Sequence, residues 1–206
     1  MNPVREASRP RSGDHVGLFG GTFDPPTIAH VAVAEQAKTL RKLDQIWLIP
    51  AYQNPLKGSR KPTPPDVRIE MLESAFSGLQ DCSIKRFELD RGGKSYTIDT
   101  LRQVQADFPE VAFSLILGQD NLERLSEWKE VREIFKRVEV VVVTRPDINV
   151  SGIPGWVIDA IKLLKIPDLP ISSTLVRERI SLNQGVDDLV PPGVASLIAR
   201  HHLYQS

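Results

Sequence analysis

The sequence predicts an α/β fold: a Rossmann-like, doubly wound, mainly parallel sheet with helices on both faces. Three observations carry this. Short β-branched or apolar runs alternate with helix-patterned segments along the whole chain, the signature of strand–helix–strand units. The run 138–144, Val-Glu-Val-Val-Val-Val-Thr, is almost continuously apolar, as expected of a strand covered on both faces. Two strand-like runs end in glycine, at Phe19-Gly20-Gly21 and at Leu117-Gly118-Gln119-Asp120. Right-handed crossovers between parallel strands then give the doubly wound sheet, whose ligands bind outside the carboxyl ends of the strands where the winding reverses. The two glycine-bearing strand ends are the expected walls of that crevice.

Strands are expected at 15–19, 45–49, 82–88, 111–117, 138–144 and 160–166, and helices at 27–43, 66–77, 97–107, 121–136, 173–182 and 193–203. The 16 prolines cluster in 50–65, 146–154 and 167–192, marking loops. Residues 1–14 hold Arg5, Arg9 and Arg11 beside Glu6 and Asp14 without an apolar stretch, so they read as a flexible tail and not as a signal peptide. The rest, 15–206, reads as one domain of a size that buries a core without disulfides.

Composition narrows the function. Lys plus Arg and Asp plus Glu each number 26, so the net charge is zero and predicts neither nucleic acid nor an anionic membrane as partner. No run of about 18 apolar residues is present to span a bilayer, and a cytoplasmic protein is expected. Cys82 is the only cysteine, next to an apolar strand, and reads as a small buried hydrophobe; the four histidines lack metal-ligand spacing. Trp47 and Trp156 read as structural. Oligomeric state is not legible.

The most informative segment is Gly17-Leu-Phe-Gly-Gly-Thr-Phe-Asp-Pro-Pro-Thr-Ile-Ala-His30. A strand runs into Gly20-Gly21, then Thr22, Phe23, Asp24 and two prolines lead into a helix. Adjacent glycines let backbone approach a bulky anion, and a helix start offers N–H groups and partial positive charge to it. Thr27 and His30 are three apart, so both lie on one face of the first turn. The arrangement suits a nucleoside triphosphate. A second helix start, Ile171-Ser172-Ser173-Thr174, carries Arg177 one turn later; Ser172 or Ser173 can cap it, and a guanidinium there can grip a phosphate in two places.

These residues resemble the nucleotidyltransferase superfamily with a Thr/His-x-Gly-His motif, and within it the bacterial nicotinate-nucleotide adenylyltransferases. Further segments resemble that family in the same order: Ile49–Lys57 with Asn54, Ser95-Tyr96-Thr97-Ile98-Asp99-Thr100, Gly118-Gln119-Asp120 followed by Trp128, Val143-Thr144-Arg145-Pro146, and Ile171–Arg177. Three positions depart from the family pattern: Thr27 stands for the first His, Ala29 for Gly, and Leu56 for the His before Lys57.

The resemblance implies adenylyl transfer from ATP to nicotinate mononucleotide, giving nicotinate adenine dinucleotide and pyrophosphate in NAD biosynthesis. It implies His30, Thr27, Lys57 and Arg177 as the catalytic set around the triphosphate. Gly20, Gly21, Thr22, Phe23, Gly118, Asp120, Ile171, Ser172, Ser173 and Thr174 are the expected ATP-binding residues. Asp24, Asn54, Tyr96, Thr97, Trp128 and Arg145 are expected on the mononucleotide: Trp128 stacked on the pyridine, the Tyr96–Thr97 backbone on its carboxylate, Arg145 on its phosphate. Mg²⁺ is expected through ATP phosphates, with no dedicated protein ligand. Because a phosphate oxygen is the nucleophile, no general base or covalent intermediate is needed. Two alternatives stay open: another adenylyl- or cytidylyltransferase of the superfamily, taking nicotinamide mononucleotide or phosphopantetheine, and a nucleotide sensor without catalysis.

Overall fold

The structure, a computed structural model, describes residues 9–56, 61–122, 124–144, 152–166 and 169–205, apart from the side chain of Asp120. Lys57, Arg60 and Arg145 fall outside the described residues.

Six strands form one sheet: β1 His15–Gly21, β2 Gln45–Pro50, β3 Cys82–Ile84, β4 Ala112–Gly118, β5 Glu139–Thr144 and β6 Ile161–Lys165. Their order is β3-β2-β1-β4-β5-β6 and every neighbouring pair is parallel. The chain winds outward from β1 to β3, returns to lay β4 beside β1, and winds outward again. The reversal therefore lies between β1 and β4, whose carboxyl ends are the two glycine-bearing ends.

The helices are α1 Ile28–Arg41, α2 Pro65–Ala75, α3 Phe87–Arg91, α4 Thr97–Asp107, α5 Gln119–Leu122, α6 Val131–Arg137, α7 Gly155–Ala160, α8 Ser173–Ser181 and α9 Pro192–Arg200. Period-two alternation sorts the strand side chains into two cores. Phe19, Ile46, Leu48, Ile116 and Val143 pack against Ala34 and Ala37 of α1, Met71 and Leu72 of α2, Val176 of α8 and Val194 of α9. Val16, Leu18, Trp47, Ile49, Leu115, Leu117, Val140 and Val142 pack against Ile98, Leu101 and Val104 of α4, Ile134 of α6 and Val157 of α7. Gly17 faces the first core, where a Cβ would stand 2.6–2.9 Å from Ile116, Leu43 and Ile46 side chains. Only glycine lets those three meet over β1.

Four expectations are corrected. β1 does not turn at Gly20-Gly21; both stay in the strand, paired with Ile49 and Pro50, and the chain turns at Phe23, whose φ is 49°. The run 82–88 stops as a strand at Ile84 and becomes α3. The segment 121–136 is broken into α5, a short 3₁₀ turn over Leu125–Glu127 and α6, with Glu130 in the left-handed region at φ 52°. Here sequence periodicity hid a chain reversal that needed no glycine. Residues 11–14, expected within the tail, form a turn tied to the body by Gly13 N–H to the Glu110 carbonyl at 3.0 Å.

Trp47 and Trp156 are structural as expected: Trp47 is fully buried against Phe108 and Phe113, and Trp156 packs edge-on to Phe135. Cys82 is buried in β3, and burial pushes its thiol up to about 12. The reactive species is the thiolate, so Cys82 is expected to resist a thiol-specific disulfide reagent at pH 8 in the folded protein and to react stoichiometrically in denaturant. Rapid labelling without denaturant would contradict the packing of β3.

Candidate active site

A cleft of about 880 Å³ opens at the carboxyl ends of β1 and β4. Gly20, Gly21, Thr22, Phe23, Ala29 and His30 form its first wall, Gly118, Gln119 and Asn121 continue it, and Ile171, Ser172, Ser173 and Thr174 close another side. Asn54, Ser95, Tyr96, Thr97 and Trp128 line it too. Val143 and Thr144 line it as well, so the sheet topology gathers in one cavity all six sequence segments that the motifs singled out.

Helix α1 begins with a capping box made by Thr27 and His30. The Thr27 Oγ1 accepts the His30 N–H at 3.3 Å, and the Thr27 N–H donates to His30 Nδ1 at 3.0 Å. Thr27 Oγ1 also stands 2.7 Å from that Nδ1. A backbone N–H only donates, so Nδ1 holds a lone pair and the proton of the neutral ring sits on Nε2. Edge contact with the Phe23 ring, centroids 5.2 Å apart, holds the imidazole on its other flank. The imidazole of His30 lines the cleft as a defined N–H donor. Thr27 is wholly buried and not among the cleft-lining residues; its hydroxyl caps the helix and stands against His30.

The turn between β1 and α1 is clamped from behind. Arg68, fully buried on the inner face of α2, donates through Nη1 to the carbonyls of Thr22 at 2.7 Å and Ala51 at 2.8 Å, and through Nε to the Thr63 carbonyl at 2.9 Å. Burial lowers its pKa from the ordinary arginine value, and the Asp24 carboxylate pulls it back up. Asp24 is 3% exposed and outside the cleft; its Oδ1 accepts the Tyr204 hydroxyl at 2.7 Å. In this structure Asp24 is bonded inside the protein, and the N-cap of α1 is Thr27.

Helix α8 is capped by Ser172, whose Oγ accepts the Leu175 N–H at 3.1 Å. Ser173 Oγ donates to the Pro25 carbonyl at 2.8 Å, tying this helix start to the first motif. Arg177 donates through Nη1 to the Asp24 carbonyl at 2.8 Å and through Nη2 to Thr174 Oγ1 at 3.0 Å, and it does not line the cleft. In this structure the Arg177 guanidinium clamps the backbone of the β1–α1 turn. What α8 presents to the cleft is its N-terminus, with the partial positive charge of a helix start.

The opposite end of the cleft is built by α4. Tyr96 is its N-cap residue and no side chain caps it, so the first N–H groups of the helix stand at the cleft beside Thr97. Lys129 lies 4.8 Å from the Tyr96 ring centroid and 3.2 Å from both Asp99 carboxylate oxygens. Trp128 ends the 3₁₀ turn, half packed into the second core and half on the cleft. Arg124 donates to the Leu56 carbonyl at 2.7 Å, and Asn54 Oδ1 accepts the Leu56 N–H at 2.9 Å, so the loop after β2 is anchored across the cleft.

Sequence reasoning missed Arg68, Lys94, Arg124, Lys129, Glu88 and Tyr204. Only Arg68 left a signal: it precedes Met71, Leu72 and Ala75 at helical spacing, a charge on an otherwise apolar face. Glu88 lines the cleft, its Oε1 accepting the Thr100 hydroxyl at 2.8 Å, and burial raises its pKa. Each orphaned buried carbonyl costs about 1–3 kcal/mol. Arg68→Met is therefore expected to lower stability by at least about 3 kcal/mol in urea unfolding, since three carbonyls lose their donor. A loss under about 1 kcal/mol would remove Arg68 from the clamp.

With this geometry in place, comparison with known proteins gives one answer at three levels. The profile of the cytidylyltransferase-like family matches residues 18–179. A protein of Exiguobacterium sibiricum named probable nicotinate-nucleotide adenylyltransferase is 38% identical over 92% of this chain and 98% of its own length. One of the same name in Leifsonia xyli subsp. xyli is 36% identical over 98% of both chains. In fold, the chain is similar to the nicotinic acid mononucleotide adenylyltransferase of Plasmodium falciparum complexed with NaAD, with a TM-score of 0.77 at 21% identity over 93% of this chain and 97% of that one. A sheet reversed between β1 and β4, a histidine held as a donor at that reversal, and relatives of this identity and coverage place the chain in the cytidylyltransferase-like nucleotidyltransferases, and within them it belongs to the nicotinate-nucleotide adenylyltransferases.

Proposed function

We propose that the cleft transfers the adenylyl group of ATP to nicotinate mononucleotide, the step of NAD biosynthesis its family is named for, with the division of labour described here. The observation that carries the reading is the His30 imidazole, fixed by Thr27 with its proton on Nε2 in the wall of a cleft that also holds the α8 N-terminus.

A phosphate oxygen of the mononucleotide attacks the α-phosphorus of ATP, and the bond to the bridging oxygen of pyrophosphate breaks. The nucleophile is ionised at neutral pH, so the protein's work is alignment and neutralisation of growing negative charge. His30 donates Nε2–H to the α-phosphate. Gly20 and Gly21 leave the end of β1 without side chains, and the α8 N-terminus at Ser172–Thr174 receives the β- and γ-phosphates. Lys57 contributes a cation from the loop after β2, and Arg145 one at the end of β5. Asp120 receives ribose hydroxyls after β4.

At the other end, Trp128 stacks on the pyridine ring, and the uncapped α4 N-terminus at Tyr96–Thr97 takes its carboxylate. An N–H pair donates to both oxygens of a carboxylate, whereas an amide presents an NH₂ to the same donors. That supports nicotinate over nicotinamide.

Mg²⁺ enters with ATP and, when bound, neutralises phosphate charge. Among the described residues no three His, Cys, Asp or Glu side chains are grouped to hold a metal, and the described carboxylates lining the cleft are Glu88 and Glu127. That donor set fits a cation held by phosphate oxygens and water. No helix among the described residues is long and apolar enough to cross a membrane.

The test is pyrophosphate release with Mg²⁺ and ATP, comparing nicotinate mononucleotide, nicotinamide mononucleotide and phosphopantetheine. Strong preference for the first is expected; preference for another acceptor overturns the pyridine-carboxylate assignment, and ATP binding without release overturns catalysis. His30→Ala is expected to lower kcat by about 10²–10³ with ATP affinity changed far less. An unchanged kcat in that variant would leave the imidazole without a catalytic role.

A further inference from the structure

Of the turn Thr22–Pro25 only Thr22 and Phe23 line the cleft, yet three of its carbonyls and a carboxylate are held by side chains. Arg68 of α2 holds the Thr22 carbonyl, Arg177 of α8 holds the Asp24 carbonyl, and Ser173 holds the Pro25 carbonyl. The remaining hold is on the Asp24 side chain, and it comes from the far end of the chain. Tyr204 OH donates to Asp24 Oδ1 at 2.7 Å, across 180 residues of sequence. Thr63 Oγ1 donates in turn to the Tyr204 oxygen at 3.3 Å, and the Thr63 N–H reaches Asp24 Oδ2 at 3.4 Å.

The chemistry makes Tyr204 a directional donor. Its oxygen accepts from Thr63, so its one proton is committed to the carboxylate. Burial and the adjacent Asp24 charge push the phenol well above the ordinary tyrosine range, so it stays protonated at any working pH. A hydrogen bond to an ionised acceptor in a buried setting is among the stronger kinds. The ring itself is partly buried against the first core, which anchors the hydroxyl.

From this arrangement we infer that Tyr204 is a positioning residue for adenylyl transfer: through Asp24 it fixes the course of the backbone that leads from Gly21 to His30. Three residues after Asp24, Thr27 sets the tautomer and angle of His30. A shift of the turn therefore moves the phosphate donor relative to the α8 N-terminus while leaving the pyridine end, built on α4 and the 3₁₀ turn, in place. The inference rests on the adenylyl-transfer reading above and adds a residue that touches neither nucleotide.

The experiment compares Tyr204→Phe and Thr63→Val with the wild-type protein. The first removes one hydroxyl and keeps the ring; the second removes the bond into Tyr204 but leaves the Tyr204–Asp24 bond. Tyr204→Phe is expected to lower kcat about tenfold, an effect the size of one misplaced donor. KM for nicotinate mononucleotide is expected to stay within twofold, and the thermal midpoint within a few degrees. Thr63→Val is expected to lose less than half of its rate. An unchanged kcat in Tyr204→Phe overturns the inference. So does a fall in kcat that is matched in Thr63→Val or tracks a loss of folded protein, since a purely structural role moves all of these together. If the wild-type protein binds ATP without turnover, the functional reading falls separately. Tyr204 is then judged by calorimetric ATP affinity, where an equal affinity in wild type and Tyr204→Phe overturns its positioning role and a loss of several-fold upholds it.

Discussion

The site depends on one constraint: the backbone between Gly21 and Thr27 must take a single course while its carbonyls are cut off from water. A buried carbonyl without a donor is costly, and three of them between Thr22 and Pro25 would favour a different course for the turn. The fold meets this with donors from elements far apart in sequence, Arg68 from α2, Ser173 and Arg177 from α8. Because Ser173 also lines the cleft while Arg68 and Arg177 hold the turn from behind it, satisfying the turn and assembling that end of the cleft are the same event. A guanidinium buried for this purpose would be unfavourable alone; Asp24 supplies the compensating charge next to it.

The two ends of the cleft are built on different principles. At the phosphate end, donors are held by tertiary hydrogen bonds that converge on the β1–α1 turn. At the pyridine end the parts are local: the uncapped start of α4, the 3₁₀ turn that ends in Trp128, and Lys129 paired with Asp99 above Tyr96. Glu88 and Thr100 link α3 to α4 beneath it. Arg124 joins the ends by holding the Leu56 carbonyl from the far side. Charge development during transfer is concentrated at the phosphates, which is where rigid, preorganised donors contribute most.

Much of this was legible in the sequence because it rests on local pattern. Strand runs and their alternation fixed the doubly wound sheet, and glycine at the ends of β1 and β4 pointed to the crevice at the winding reversal. Thr27 and His30 three apart announced a shared helix face, but not that one would cap and orient the other. The remainder is long-range and left no pattern. Tyr204 lies past the last helix with nothing around it to mark a partner 180 residues away, and Arg177 reads from sequence as a phosphate ligand because only the fold reveals the Asp24 carbonyl beside it. The segment 121–136 misled because its apolar spacing survives across the 3₁₀ turn at Leu125–Glu127.

The departures from the family pattern take on a different weight once the bonds are known. A non-catalytic reading rests on Thr27, Ala29 and Leu56. Position 56 acts through its backbone, the N–H on Asn54 and the carbonyl on Arg124, so leucine serves as well as any side chain. Thr27 is a favoured N-cap residue and its backbone N–H, which any residue but proline has, fixes the ring proton of His30. Ala29 adds one methyl group to the cleft lining. Thr27 and Leu56 each stand where the family pattern has a histidine, yet His30 keeps a tautomer fixed by the backbone. A fixed Nε2–H is what the proposed donation to the α-phosphate requires.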